Sequence, residues 1–104
     1  MKIAVSSSGG SLSAQVSEKF GRAQYFLIVD SETMKFDVAP NPYIGELSGV
    51  GPHTASLIAK CGAEIVLTGT CGPNAKTALE SAGIKVVTGV SGTIQEAVKG
   101  YSGK

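Results

Sequence analysis

The chain has no tryptophan, a single histidine, two cysteines and only 16% charged residues, and each scarcity excludes something. Cys61 and Cys71 lack Cys-x-x-Cys spacing, so they make neither a disulfide framework nor a structural zinc site, and both thiols are expected to be reduced. The few charges nearly balance at a net +1, and no run of Lys or Arg concentrates them. Without a basic patch there is no long-range field to gather nucleic acid. No apolar run approaches the ~20 residues that a helix needs to span a bilayer. Met1-Lys2-Ile3-Ala4-Val5 is too short for a signal peptide and reads as a first strand. A cytoplasmic protein without membrane or nucleic-acid partners is the expectation. Carboxylates are absent from that first strand and from Thr68 to Gly72, which removes the converging acidic set of a two-metal nuclease.

Glycine is plentiful, 14 in 104 residues, and most of it lies in loops between periodic segments. Such loops let backbone amides come close to a ligand. With 42% hydrophobic residues, a chain of this length suffices for one domain covering residues 1–104.

The most informative run is Glu64 to Ala82. Glu64 to Thr68 has the short, β-branched, apolar character of an interior parallel strand. Gly69-Thr70-Cys71-Gly72 interrupts it. Pro73 suits a first helical position, and Ala75, Ala78, Leu79 and Ala82 then recur as one apolar stripe until Gly83 ends the helix. Cys71 is thereby set at the carboxyl end of a strand and just before a helix start, a place that favours negative charge and lowers a thiol pKa.

Elsewhere the pattern repeats. Lys2 to Ser6 is a strand running into the small-residue loop Ser6 to Gly10, which lacks the Gly-Lys-Ser/Thr ending of a P-loop. Ser11 to Phe20 has room for one helical turn. Ala23 to Val29 is an apolar run and Met34 to Val38 alternates, so the two predict a hairpin. Ala39 to Gly51 reads as a loop. Gly51 as N-cap and Pro52 open a helix with Leu57, Ile58 and Cys61 on one face, ended by Gly62. Ile84 to Thr88 is another strand. Gly89 to Gly92 is another glycine loop, and Thr93 to Glu96 is a capping box opening a last helix, with Gly100 to Lys104 as a frayed tail.

Alternating strands and helices predict an α/β fold with parallel core strands and helices on both faces. Every strand-to-helix loop then lies on the carboxyl edge, where open α/β sheets bind ligands. Ser8, Gly9, Gly51, His53, Gly69, Cys71, Gly72 and Gly89 belong to that edge, with three helix N-termini facing it. Cys61, at the far end of its helix, belongs to the opposite edge and cannot pair with Cys71. Cys71 is either a soft metal ligand or nucleophile, or a small residue filling a tight loop. His53 is either its partner in a soft-metal site or a surface histidine without a role. Arg22 either holds an anion or caps local carbonyls.

Two motifs carry a resemblance: Ser17-Glu-Lys-Phe-Gly-Arg-Ala-Gln-Tyr-Phe-Leu-Ile-Val-Asp30, and Thr68-Gly-Thr-Cys-Gly-Pro-Asn-Ala75 followed by Ala82-Gly-Ile-Lys-Val86. In order and spacing the chain resembles the dinitrogenase iron-molybdenum cofactor biosynthesis family, which includes NifX, NafY and the carboxyl-terminal domain of NifB. The resemblance implies a three-layer ribonuclease H-like fold, a five-stranded mixed sheet with helices on both faces and the hairpin beside the first strand. It also implies a protein that binds or carries a metal-sulfur cluster, Fe-S, Mo-Fe-S or Mo-Cu-S, for metallocofactor assembly or delivery, rather than an enzyme. Its partner would be a cluster donor or acceptor protein, and the chain itself is expected to be a monomer. Asn74 joins the candidate binding residues through the second motif, with Cys71 and His53 as the metal ligands. Many relatives carry histidine where this chain has Lys19, and the cysteine at Cys71 marks a stand-alone branch of the family. Two other classes remain open: a regulatory or partner-binding domain without metal, and a thiol enzyme using Cys71 with His53 as base.

Overall fold

The computed structural model describes residues 1–42 and 50–102. The strands are β1 (Lys2–Ser7), β2 (Tyr25–Asp30), β3 (Phe36–Pro40), β4 (Ile65–Leu67) and β5 (Lys85–Val87). The helices are α1 (Val50–Lys60), α2 (Pro73–Ser81) and α3 (Ile94–Ser102), with a 3-10 turn at Phe20–Arg22. One five-stranded sheet has the order β3-β2-β1-β4-β5. β2 is antiparallel to both β1 and β3, while β4 and β5 run parallel to β1. The expected hairpin therefore lies beside the first strand, and β1, β3, β4 and β5 all end on one carboxyl edge.

The alternation of side chains across a strand divides the core into two halves. Ala4, Phe26, Ile28 and Val66 face α1, α2 and the 3-10 turn, where Ala55, Ile58, Ala75, Leu79 and Phe20 are buried. Ile3, Val5, Leu27, Val29, Ile65 and Leu67 face α3, through Ile94 and Val98. This is the three-layer, mixed-sheet fold that the resemblance implied.

Several boundaries differ from the sequence reading, each for a local reason. The apolar run from Ala23 begins as a strand only at Tyr25, because the Ala23 N–H closes the 3-10 turn onto the Phe20 carbonyl at 3.4 Å. Met34 is not in a strand. Its φ of 62° is left-handed, and its N–H bonds the Asp30 carbonyl at 2.7 Å to make the hairpin turn. Of Ser11 to Phe20, only Ser11 to Ala14 closes a turn, with the Ala14 N–H on the Ser11 carbonyl at 3.1 Å, and Phe20 opens the 3-10 turn; between them the chain crosses the carboxyl edge in extended pieces, with bridges from Val16 to Ser7 and from Gln15 to Thr93. Of the loop expected over Ala39 to Gly51, Ala39 and Pro40 belong to β3, Val50 and Gly51 to α1, so Gly51 does not cap that helix, and residues 43–49 lie outside the described residues. The expected frayed tail is helical as far as Ser102: Tyr101 packs on the α3 side of the core, with the Lys85 ammonium 5.9 Å from its ring centroid. No helix among the described residues is long and apolar enough to cross a membrane.

Candidate functional site

The carboxyl edge is organised by a strap, residues 17–20, laid across the loop that follows β4. The Ser17 N–H donates to the Ser6 carbonyl at 2.7 Å and the Phe20 N–H to the Thr70 carbonyl at 3.0 Å. The Thr70 N–H returns to the Glu18 carbonyl, which also accepts the Thr70 hydroxyl at 3.1 Å. Beneath them the buried Ser6 Oγ lies 2.9 Å from the Ser17 carbonyl and 2.7 Å from the buried Thr68 Oγ1. The two motifs singled out in the sequence are thus joined by hydrogen bonds.

Gly69 is the reason the strap can lie so close. A Cβ there would sit 2.5 Å from the Glu18 carbonyl oxygen and 2.8 Å from its Cα, so no side chain fits. On the far side of the strap, Asn41 is buried and its Nδ2 donates to the carbonyls of Ala23 at 2.9 Å and Gly21 at 3.3 Å. Phe20 anchors the strap from below, packed against Phe26 with ring centroids 5.1 Å apart. Arg22 is held exposed on this braced turn.

The candidate loops differ in what they can offer a ligand. The Ser8 N–H donates to the Gln15 carbonyl at 3.0 Å, and the Gly9 N–H to Ser7 Oγ at 3.2 Å. The Gly69 N–H bonds Ser17, and the Gly89 N–H bonds the Gly69 carbonyl at 2.8 Å. These amides hold the loops to one another. The start of α3 is closed as well: the Ile94 and Gln95 N–H groups donate to Ala14 and Leu12, and the Glu96 N–H to Thr93 Oγ1 at 3.2 Å. Glu96 completes the box by accepting from the Thr93 N–H and hydroxyl, contacts that hold its carboxyl below the usual carboxylate range. Of the three helix starts expected to face one site, this one lies on the opposite face of the sheet from α1 and α2 and is already capped.

Among the described residues the start of α2 is open. Its N-cap is Gly72, extended at φ −64° and ψ 158°, with no capping side chain and no acidic residue in the first turn. Cys71 immediately precedes it, half-buried against the α1–α2 side of the core. Burial pushes the Cys71 thiol above its ordinary pKa; Lys76 opposes this and Glu80 adds to it. The lowered pKa expected from the helix start is therefore not what this thiol has, because desolvation outweighs the favourable charge. Gly72 and Asn74 are exposed beside it.

α1 and α2 pack together, both running away from the carboxyl edge. His53 lies exposed in the first described turn of α1, and the Thr54 hydroxyl after it is buried without a hydrogen-bond partner among the described residues. Cys61 is on the other edge, as expected: it follows the last residue of α1, three residues before Glu64, whose N–H bonds the Lys2 carbonyl at the beginning of β1. No group of three or more His, Cys, Asp or Glu among the described residues is placed to hold a metal ion.

Sequence reasoning found the cysteine and its helix but missed the brace. Asn41 fell within the stretch read as a loop, and the pairing of Glu18 with Thr70 is carried largely by backbone groups that leave no residue signature. The only signal available was glycine at position 69, where close approach of another segment is one reason for glycine.

The same fold recurs in known proteins. An uncharacterized protein of Methanocaldococcus jannaschii is 31% identical over 88 residues, which cover 82% of this chain and 75% of that protein. The apo form of the orange protein from Desulfovibrio gigas superposes with a TM-score of 0.93 at 38% identity, over 98% of this chain and 88% of that one. A putative NifB protein from Thermotoga superposes with a TM-score of 0.84 at 36% identity, over 98% and 87% of the two chains. The profile described as "Dinitrogenase iron-molybdenum cofactor" matches residues 1–104, and the chain belongs to that family.

Proposed function

We propose that this protein binds a preassembled, anionic metal-sulfur cluster at the start of α2 and carries it between a donor and an acceptor protein. The observation behind the reading is the pairing of an uncapped helix N-terminus with a half-buried thiol one residue before it. An anionic ligand is favoured there by the first-turn N–H groups and the helix dipole. Gly72 and Asn74 border that position and Cys71 supplies a soft sulfur. His53 is the second soft donor in the proposal, and Arg22 the counter-charge.

The donor set fits some cargoes and not others. A bare metal ion takes a set of about three or four protein ligands, and an iron-sulfur cluster built in place takes about four thiolates. The described residues bring no such set together. A cluster that arrives with its own sulfide ligands needs only one or two protein ligands and a surface of matching charge, which suits Cys71, His53 and the open helix start. Such a cargo supplies inorganic sulfide and redox-active metal; the protein supplies position and charge. Ser8, Gly9, Gly69 and Gly89, whose amides are engaged within the chain, enter the proposal as the framework of the site.

A thiol enzyme is less well supported. A nucleophilic cysteine needs a lowered pKa, and burial moves Cys71 the other way.

Anaerobic incubation with tetrathiomolybdate plus copper(I), which brings its own sulfide ligands, tests the reading, with iron and sulfide, which need a fuller set of protein thiolates, as the arm expected to leave no stable band. The expected result in the first arm is a visible absorption band that co-elutes with protein and is lost or weakened at least about tenfold in Cys71→Ala but kept in Cys61→Ala. A protein inert to every reconstitution, or a band that follows Cys61, overturns it; inertness together with capture of a cluster protein from the native host favours the metal-free partner-binding class.

A further inference from the structure

We infer that the free edge of β3 pairs with the same edge of a second copy of this chain, making a two-fold dimer with a continuous ten-stranded sheet. β3 is the last strand on its side of the sheet. Its odd-numbered neighbours bond inward to β2: the Lys35 carbonyl accepts the Asp30 N–H at 2.8 Å, and the Asn41 N–H donates to the Gln24 carbonyl at 3.0 Å. By the alternation of an antiparallel ladder, Phe36, Val38 and Pro40 turn their backbone groups outward. Phe36 and Val38 also share a sheet face, opposite Val29 and Leu27, and they are 36% and 40% exposed because α3 covers β1 rather than β3. An edge of this kind, apolar and unpaired among the described residues, is a template for another strand.

Charge identifies the occupant and its register. A two-fold antiparallel pairing has to match outward-facing residues, which leaves five centres within the strand, Phe36 to Pro40. Centring it on Val38, Ala39 or Pro40 sets Phe36, Val38 or Pro40 itself opposite Pro40, which has no N–H to give. Centring it on Asp37 sets two carboxylates face to face, which is destabilising. Centring it on Phe36 has neither fault. It sets Lys35 of each copy opposite Asp37 of the other, and the two Phe36 residues directly across from one another. Lys35 and Asp37 are both exposed and lie together on the sheet face opposite the Phe36 ring, as cross-strand ion pairs require. The residues that elsewhere would blunt an edge, a lysine and a proline, here admit one register and reject the others. The pairing ends at Met34, whose left-handed φ of 62° turns the chain out of the ladder. The interface is therefore short and the dimer weak. The two-fold points the carboxyl edges of the copies in opposite directions, so the α2 start of each stays open, and the sequence expectation of a monomer gives way to a concentration-dependent dimer.

Sedimentation equilibrium at low ionic strength, up to about 1 mM protein, tests this, since an interface below standard size associates in that range. The wild-type chain is expected to dimerise, with association weakened by salt. Lys35→Glu and Asp37→Lys alone each set like charges opposite one another twice and should weaken self-association at least about tenfold. An equimolar mixture of the two variants should restore a heterodimer, and so should the double variant K35E/D37K with itself; circular dichroism of these surface variants verifies that they are folded. A chain monomeric throughout, a dimer indifferent to the single reversals, or a mixture that fails to re-associate overturns the inference.

Discussion

At the residue scale the most consequential side chain is Cys71, because two opposed effects act on one thiol. The open start of α2 and Lys76 favour the thiolate, whereas burial against Ala75 and its neighbours, with Glu80, favours the thiol; the balance lies with the thiol. Binding of a soft metal has to displace that proton, so affinity should rise with pH until the thiol itself titrates. The pH profile of alkylation by iodoacetamide reads the same balance directly. In a Cys61→Ser background, the midpoint is expected above the value of about 8.5 for free cysteine. Lys76→Gln should move it higher and Glu80→Gln lower. A midpoint below that of free cysteine would mean that the helix start, and not burial, governs this thiol.

At the scale of elements, the carboxyl edge depends on the strap of residues 17–20, and Gly69 and Gly72 separate two uses of glycine within one loop. A methyl group at position 69 meets the Glu18 backbone at 2.5 Å, whereas at position 72 it meets nothing within 4 Å and the backbone is already in an extended conformation open to any residue. Gly69→Ala should therefore lower stability by about 1–3 kcal/mol, the usual range for forced overpacking, while Gly72→Ala should stay within about 0.5 kcal/mol. Urea denaturation midpoints check both, and equal costs would refute the distinction. The same loop marks what the sequence made legible. β1, β4 and α2 were readable because apolar runs and a helical stripe announce burial, and the resemblance rested on residues that do meet in space. The ends of β2 and β3 were not, since a 3-10 turn at Phe20 and a left-handed Met34 interrupt runs that look continuous. The capping box at Thr93 was legible as a helix start, but not the fact that Leu12 and Ala14 close the same helix. Long-range backbone pairing has no compositional trace, so the sequence counted helix starts without showing which were still open.

For the whole molecule, titration couples these local arrangements to stability, and the signs differ at the two ends of the pH scale. The Asp30 carboxyl is held below the ordinary carboxylate range, first by the Glu32 N–H it accepts and then by the amino terminus, the Thr33 N–H and Lys2; Glu96 is held low by Thr93. A carboxyl with a lowered pKa in the folded state stabilises above its unfolded pKa and loses that contribution as pH falls through the folded value. Glu96 is exposed and Asp30 only partly covered, so this acid limb should be shallow and weakened by salt. Cys71 acts in the opposite direction. Its folded pKa is raised, so its contribution is complete below the unfolded thiol pKa and is lost as pH rises toward the folded value, because the unfolded chain then releases a proton that the native state retains. Urea midpoints measured from pH 3 to pH 10 should give a broad plateau with a gentle acid decline and a separate alkaline one. Glu96→Gln should flatten part of the first and Cys71→Ser part of the second, each leaving the other limb in place. An alkaline limb unchanged in Cys71→Ser would show that the thiol is not the group being titrated. It would also remove the protonated-thiol premise from the pH dependence of cluster uptake.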